Sequence, residues 1–149
     1  MTIPRDGGRM VLSRREGLVA ELDKSEKLTI NLGLVDLGQI DLLVDEGFYA
    51  NRTDFIRTAI RRQLETRAAA VDDTVARRTL TLGALHLGRR ELEELRSAGR
   101  TVEIRVLGLA TIADDVDPEL ALATISVVEV LGAFRAPRTV KAALAPRTT

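Results

Sequence analysis

The 149-residue chain has no cysteine and a single histidine, His86. The lack of cysteine excludes disulfide bonds, thiolate zinc sites and cysteine nucleophiles. One histidine is too few for a multi-histidine metal site, so we expect His86, between Leu85 and Leu87, to be a structural or surface residue. We expect no metal and no cofactor.

Long hydrophobic runs are also lacking. No stretch holds the roughly 18 uninterrupted apolar residues of a membrane span, and residues 1–25 contain no apolar core of signal-peptide length. We therefore expect a cytoplasmic protein. No Ser/His/acid arrangement, phosphate-binding glycine loop or paired-carboxylate site stands out, so we expect no enzyme. An acidic cluster lacks the EF-hand spacing and is expected to form a solvated turn before Pro118; its members are Asp114, Asp115, Asp117 and Glu119.

The net charge of the chain is also low. The chain has 22 basic and 22 acidic residues, and a net charge of zero argues against coating nucleic acid by bulk charge. The local distribution is uneven, because the charged residues from Asp36 to Glu46 are all acidic whereas Asn51–Arg67 carries five arginines against Asp54 and Glu65. A neutral chain can therefore still present a basic face.

The first half of the chain predicts a strand and two helices. We expect residues 1–25 to be a flexible arm with a short helix, since Ser13 to Glu16 matches a capping box. In Lys27–Leu32, apolar and polar residues alternate as in a half-buried strand. An amphipathic helix follows from Asp36 and stops at Gly47. A second helix, with Asn51 as N-cap, is predicted to run to about Ala70.

The sequences KLTINL and GFYANRTDFIRTAIRRQL, in this order and at this spacing, resemble the CopG/Arc/MetJ-like ribbon-helix-helix family of DNA-binding proteins. The resemblance covers residues 26–70 and does not extend to the C-terminal half. It implies a homodimer, since one strand and two short helices cannot bury a core alone. The paired strands would form an antiparallel β-ribbon that enters the major groove of double-stranded DNA.

This resemblance implies which strand residues contact DNA bases. Lys27, Thr29 and Asn31 would face the base edges, where lysine suits guanine, asparagine suits adenine and threonine suits thymine. The alternative is that these three side chains are only the solvated face of a two-stranded sheet. The dimer core would consist of the apolar strand residues and the start of the second helix, namely Leu28, Ile30, Leu32, Phe55 and Ile56.

The first turn of the second helix is the candidate phosphate anchor. Its free backbone N–H groups lie at the positive end of the helix dipole, and Asn51, Arg52 and Thr53 match the family's phosphate-contacting turn. The alternative is that Asn51 is simply a cap and Arg52 a solvated side chain. Arginines further along the helix are weaker candidates, because they are as well suited to a solvent face or to dimer salt bridges: Arg57, Arg61 and Arg62.

The second half of the chain contains three Leu-Gly steps. After a predicted linker at residues 71–78, the glycines Gly83, Gly108 and Gly132 follow at intervals of 25 and 24 residues, and a leucine lies twelve residues after each: Leu95, Leu120 and Leu144. This pattern predicts a β-rich, solenoid-like repeat domain over residues 79–149, with about 24–25 residues per unit. The alternative is an ordinary small α+β domain with chance similarity between strands.

The expected fold class is therefore α+β, a ribbon-helix-helix dimer module followed by a repeat domain. The expected function is a sequence-specific transcriptional regulator whose C-terminal domain senses, oligomerises or binds a protein partner. Two alternatives stay open. One is the antitoxin of a toxin–antitoxin pair, although the apolar C-terminal half differs from the polar tails typical of antitoxins. The other is a filament-forming protein assembled through exposed strand edges.

Overall fold

A computed structural model describes residues 25–149. The predicted N-terminal arm and its short helix therefore lie outside the described residues, apart from Ser25. The described chain forms two compact units: Lys27–Ala76, and Arg77–Thr149 together with residues 25–26. The boundary falls inside residues 71–78, where the sequence predicted a linker. That prediction was wrong about local structure, because Ala68–Arg78 is helical.

The N-terminal unit consists of helices. Helix α1 is Leu34–Asp45, helix α2 is Arg52–Thr66 and helix α3 is Ala68–Arg78, whose last two residues belong to the other unit. Helix α1 ends in a Schellman motif: Gly47, at φ +81°, allows the Phe48 N–H to bond to the Leu43 carbonyl at 3.0 Å. The predicted stop at Gly47 is thereby confirmed.

Helix α2 ends earlier than the sequence predicted. It stops at Thr66 instead of about Ala70, because the backbone of Arg67 leaves the helical region at φ −108° before α3 begins at Ala68. The three alanines that follow Arg67 are good helix formers, so propensity alone gave no sign of this break.

The C-terminal unit alternates strands with helices. In chain order its elements are β1 Thr81–Leu87, α4 Arg89–Ser97, β2 Val102–Ile112, α5 Pro118–Thr124, β3 Ile125–Arg135, α6 Arg138–Leu144 and the 3₁₀ turn Ala145–Arg147. The strands form a parallel sheet in the order β1-β2-β3. The described part of the chain is thus a mixed helix and strand protein, as expected. The sheet is small and open, so a solenoid is not confirmed.

The core of this unit lies on one side of the sheet. Thirteen buried apolar residues form one cluster, with Ile104 and Val106 from β2 packing against Leu92, Leu120 and Leu144 from the three helices. The opposite side carries the buried carboxylate of Glu129, which accepts hydrogen bonds from Arg78 and Arg105. Burial of a charge is tolerated here because both partners are cations.

The three glycines occupy equivalent positions in the sheet. Gly83 pairs with Gly108, which pairs with Gly132, and all three have φ between +120° and +140°. A Cβ at Gly108 would overlap the carbonyl oxygen of Gly83, and a Cβ at Gly132 would overlap that of Gly108. Glycine is required at both positions for the strands to approach this closely. We call this arrangement the glycine ladder.

The leucines that follow the glycines are equivalent only in part. Leu95 and Leu144 are each the seventh residue of their helix, whereas Leu120 is the third residue of α5. The reason is the connection: residues 113–117 separate β2 from α5, but Gly88 alone separates β1 from α4. Leu120 and Leu144 are fully buried, while Leu95 packs partly buried at the edge of the core. Leu120 therefore reaches the same core as Leu144 from a different position in its helix.

Candidate nucleic-acid interface

The predicted base-reading segment is exposed in the single chain. Lys27, Thr29 and Asn31 are all exposed, and residues 25–33 are neither helix nor strand. A strand is defined by hydrogen bonds to a neighbouring strand. The described residues of one chain offer this segment no such neighbour, so its pairing into a ribbon stays a prediction about two chains.

The apolar residues of the same segment are exposed as well. Leu28 is 79% exposed, Ile30 49% and Leu32 42%. Ile40 is the one residue of Lys27–Ala76 that is buried, and Phe55 and Ile56 are half-buried. Further large apolar side chains are exposed on this unit, namely Leu34, Val35, Leu42, Phe48, Ile60 and Leu64. A monomer rarely leaves so many large apolar side chains of one small unit in water.

The start of helix α2 is held by reciprocal capping. The Asn51 side chain accepts a hydrogen bond from the Asp54 N–H at 2.9 Å, and the Asp54 carboxylate accepts one from the Ala50 N–H at 3.1 Å. The rings of Tyr49 and Phe55 meet edge to face, with their centroids 5.0 Å apart. Asn51 therefore is the predicted N-cap, and the turn before the helix is fixed by both polar and aromatic contacts.

Arg52 has a partner inside the unit that the sequence did not suggest. Its guanidinium makes a bidentate pair with Asp41 of helix α1, with N–O distances of 2.6 and 2.7 Å. The hydrogen bond from Arg52 lowers the pKa of Asp41, and the same bond raises the pKa of Arg52. This pair joins α1 to α2, and a phosphate would have to compete with Asp41 for Arg52.

Thr53 and the arginines that follow it, in α2 and just after it, are more available to an anion than Arg52, whose guanidinium is paired with Asp41. Thr53 is exposed in the first turn beside Arg52. Within Lys27–Ala76, four arginine side chains are exposed and make no ion pair: Arg57, Arg61, Arg62 and Arg67. The sequence ranked Arg57, Arg61 and Arg62 below Arg52, and their freedom from internal partners is what sequence patterning could not reveal.

The residues considered for metals do not converge. His86 is exposed on β1, and Asp117 caps helix α5 through the Leu120 N–H while it also pairs with Arg89. The cap lowers the pKa of Asp117, with a further contribution from Arg89. Among residues 25–149, no group of three or more His, Cys, Asp or Glu side chains could hold a metal ion. None of the described helices is long and apolar enough to span a membrane.

Comparison with known proteins gives one match. The sequence model of a family described as the Ribbon-Helix-Helix transcriptional regulator family matches residues 23–141. The match confirms the resemblance found in residues 26–70 and extends beyond it through most of the C-terminal unit. Searches of curated proteins and of solved structures found no match.

Proposed function

Because the chain belongs to the Ribbon-Helix-Helix transcriptional regulator family, we propose that it binds double-stranded DNA sequence-specifically as a homodimer, through an antiparallel β-ribbon in the major groove. The observation that carries this proposal is the exposure of the apolar residues in Lys27–Leu32. A second copy of the segment would pair with it as a strand and would bury Leu28, Ile30 and Leu32 against the helices.

Strand pairing also determines where the polar residues point. In a strand, alternate side chains lie on opposite faces, so Lys27, Thr29 and Asn31 turn to the other side when the leucines and Ile30 are buried. Two copies then present six polar side chains on one narrow ribbon. Their chemistry, one cation, one hydroxyl and one amide per chain, suits the donors and acceptors of base edges.

Phosphate contacts would come from the start of α2. The first-turn N–H groups and the exposed Thr53 hydroxyl are the groups that we propose to bind a backbone phosphate, with Asn51 fixing the turn. Arg52 would contribute either by keeping α1 and α2 together through Asp41 or by exchanging Asp41 for the phosphate. We further propose that the C-terminal unit joins copies of the protein or binds a protein partner.

The DNA proposal can be tested with full-length protein and a randomised duplex library. Selection should enrich one short motif, and Lys27→Ala, Thr29→Ala and Asn31→Ala should each weaken binding to the enriched duplex by roughly 1–3 kcal/mol per good base contact. Binding to a scrambled duplex should change much less for Thr29→Ala and Asn31→Ala, because they carry no charge.

Lys141→Ala is the matched control for the loss of a lysine. Lys141 is exposed on helix α6, where its ammonium lies 5.7 Å from the Phe134 ring centroid. The Lys141→Ala substitution removes the same charge as Lys27→Ala and should leave binding to the enriched duplex nearly unchanged. Failure of the library to enrich any motif, or wild-type affinity in all three strand variants, would remove base reading from the proposal.

A further inference from the structure

The glycine ladder is incomplete at one end. At Gly108 and Gly132 the space where a Cβ would lie is filled by the carbonyl oxygen of the preceding strand's glycine. Gly83 has the same backbone conformation, with φ +120°, but nothing lies within 4 Å of its Cβ position. Its backbone is therefore shaped to accept a carbonyl oxygen that residues 25–149 of the same chain do not supply there.

The complementary group lies at the opposite edge of the sheet. Strand β3 is the last strand in the order β1-β2-β3, and its glycine carbonyl, that of Gly132, has no following strand among the described residues. Within the chain, the carbonyls of Gly83 and Gly108 each face the glycine of the next strand. Gly132 of one copy and Gly83 of another therefore carry the two halves of the same contact.

We propose that the C-terminal units associate head to tail, with β1 of one copy adding in parallel to the outer edge of β3 of another. The register repeats that within the chain, where Gly83 pairs with Gly108 and Gly108 with Gly132. Gly83 of one copy then pairs with Gly132 of the next. This proposal deepens the joining role proposed above for the C-terminal unit.

A row of leucines supports the same register. Leu82 pairs with Leu107 and Leu107 with Leu131, on the sheet face opposite the main core. The middle leucine is half-buried, whereas the two end members are exposed, Leu82 by 67% and Leu131 by 45%. Head-to-tail addition makes Leu82 of one copy the neighbour of Leu131 of the next, and both lose apolar exposure to water.

The C-terminal residues contact the same edge of β3 at a different place from the proposed strand. Thr148 forms a parallel bridge with Val128, and the Thr149 N–H bonds to the Val128 carbonyl at 3.0 Å. In the proposed register, Thr81 pairs with Val130, because both pair with Val106 within the chain. The added strand therefore begins two residues beyond the position of this bridge.

Cysteine cross-linking tests this register, since the natural chain contains no cysteine. Ala84 and Ala133 both pair with Leu109, on either side of it. Within one chain they are two strands apart, roughly 10 Å, beyond the limit of about 7 Å between Cα atoms joined by a disulfide. Between copies in the proposed register they are direct neighbours.

The experiment mixes full-length Ala84→Cys protein with full-length Ala133→Cys protein under mild oxidation, without DNA. We expect a covalent species of two chains in the mixture and little in either protein alone, and an Arg90→Cys control on exposed α4 should give little with Ala133→Cys. Efficient cross-linking of Ala84→Cys alone would indicate symmetric β1 pairing and overturn the proposal, as would no cross-linking in the mixture. The selection of a DNA motif is measured separately from this cross-linking. Failure of the cross-linking would therefore not affect the DNA-binding result, and failure of the selection would not affect the cross-linking result.

Discussion

The two units of this chain differ in how many apolar residues each one buries. The C-terminal unit buries thirteen apolar residues in one cluster, so its sheet and helices stabilise one another within a single chain. The N-terminal unit buries only Ile40 and leaves Leu28 and Leu34 largely in water. The difference teaches that the C-terminal unit has a core of its own, whereas the N-terminal unit leaves exposed the apolar side chains that we propose to be buried by a second copy.

The largest expected effect comes from placing a charge among the apolar residues of Lys27–Leu32, which we propose to form the dimer core. Ile30→Asp should abolish folding and dimerisation of the N-terminal unit, because an unpaired carboxylate cannot be buried between two copies. Hydrogen exchange followed by mass spectrometry should show loss of protection in α1 and α2, with β2 and β3 unaffected.

Thr29→Asp is the control for this change, since it adds the same charge at the neighbouring position on the other face. It should keep the N-terminal unit folded and dimeric, although it should weaken DNA binding by repulsion. A folded, dimeric Ile30→Asp protein would show that Ile30 does not face the shared core.

A smaller effect is expected in the C-terminal unit, where Gly83 and Gly108 have similar backbone conformations but different surroundings. Gly83→Ala introduces only backbone strain and should lower the unfolding free energy by about 1–3 kcal/mol in dilute solution. Gly108→Ala adds overlap with the Gly83 carbonyl, so its loss should exceed about 4 kcal/mol. Urea unfolding followed by circular dichroism measures both, and equal losses would mean that the sheet relaxes around the new methyl group.

The smallest expected effect concerns the ion pair between α1 and α2. The folded-state pKa of Asp41 is lowered by Arg52, so the pair's contribution to stability is present above the unfolded aspartate pKa of about 3.9 and is lost as the pH falls through the lower folded value. Asp41→Asn should therefore reduce the acid-induced fall in the thermal midpoint of the N-terminal unit.

Asp45→Asn is the matched control for this titration, because Asp45 lies on the same helix and makes no ion pair within residues 25–149. It should reproduce the acid response of the natural protein between about pH 5 and pH 2. If Asp41→Asn behaves like Asp45→Asn, the pair with Arg52 does not stabilise the unit in solution.

The sequence predicted local features well where one residue type determines the outcome. Gly47 ends α1 and Asn51 caps α2. Gly83, Gly108 and Gly132, which the sequence marked by their regular interval, pair with one another across the sheet. These positions depend on the chain's own backbone, which is why pattern and propensity were sufficient.

Features that depend on distant partners were not predictable. The pair of Arg52 with Asp41 joins residues on different helices, and the helical nature of residues 71–78 was hidden by two adjacent aspartates that read as a break. The position of Leu120 within its helix differs from those of Leu95 and Leu144 because the connection after β2 is longer, which a fixed interval between residues does not reveal. The base-reading role of Lys27, Thr29 and Asn31 stays a prediction.

The exposed apolar surface of the N-terminal unit also links regulation to the number of chains made. If DNA binding requires two chains to complete one core, the amount of active protein rises with the square of chain concentration at low expression and then linearly. Unpaired chains, with Leu28 and Leu34 exposed, would be the form most open to proteolysis. The activity of such a regulator rises steeply once its chains reach the concentration at which they pair. When the concentration falls below that level, a larger fraction of the chains is unpaired, and proteolysis removes them faster.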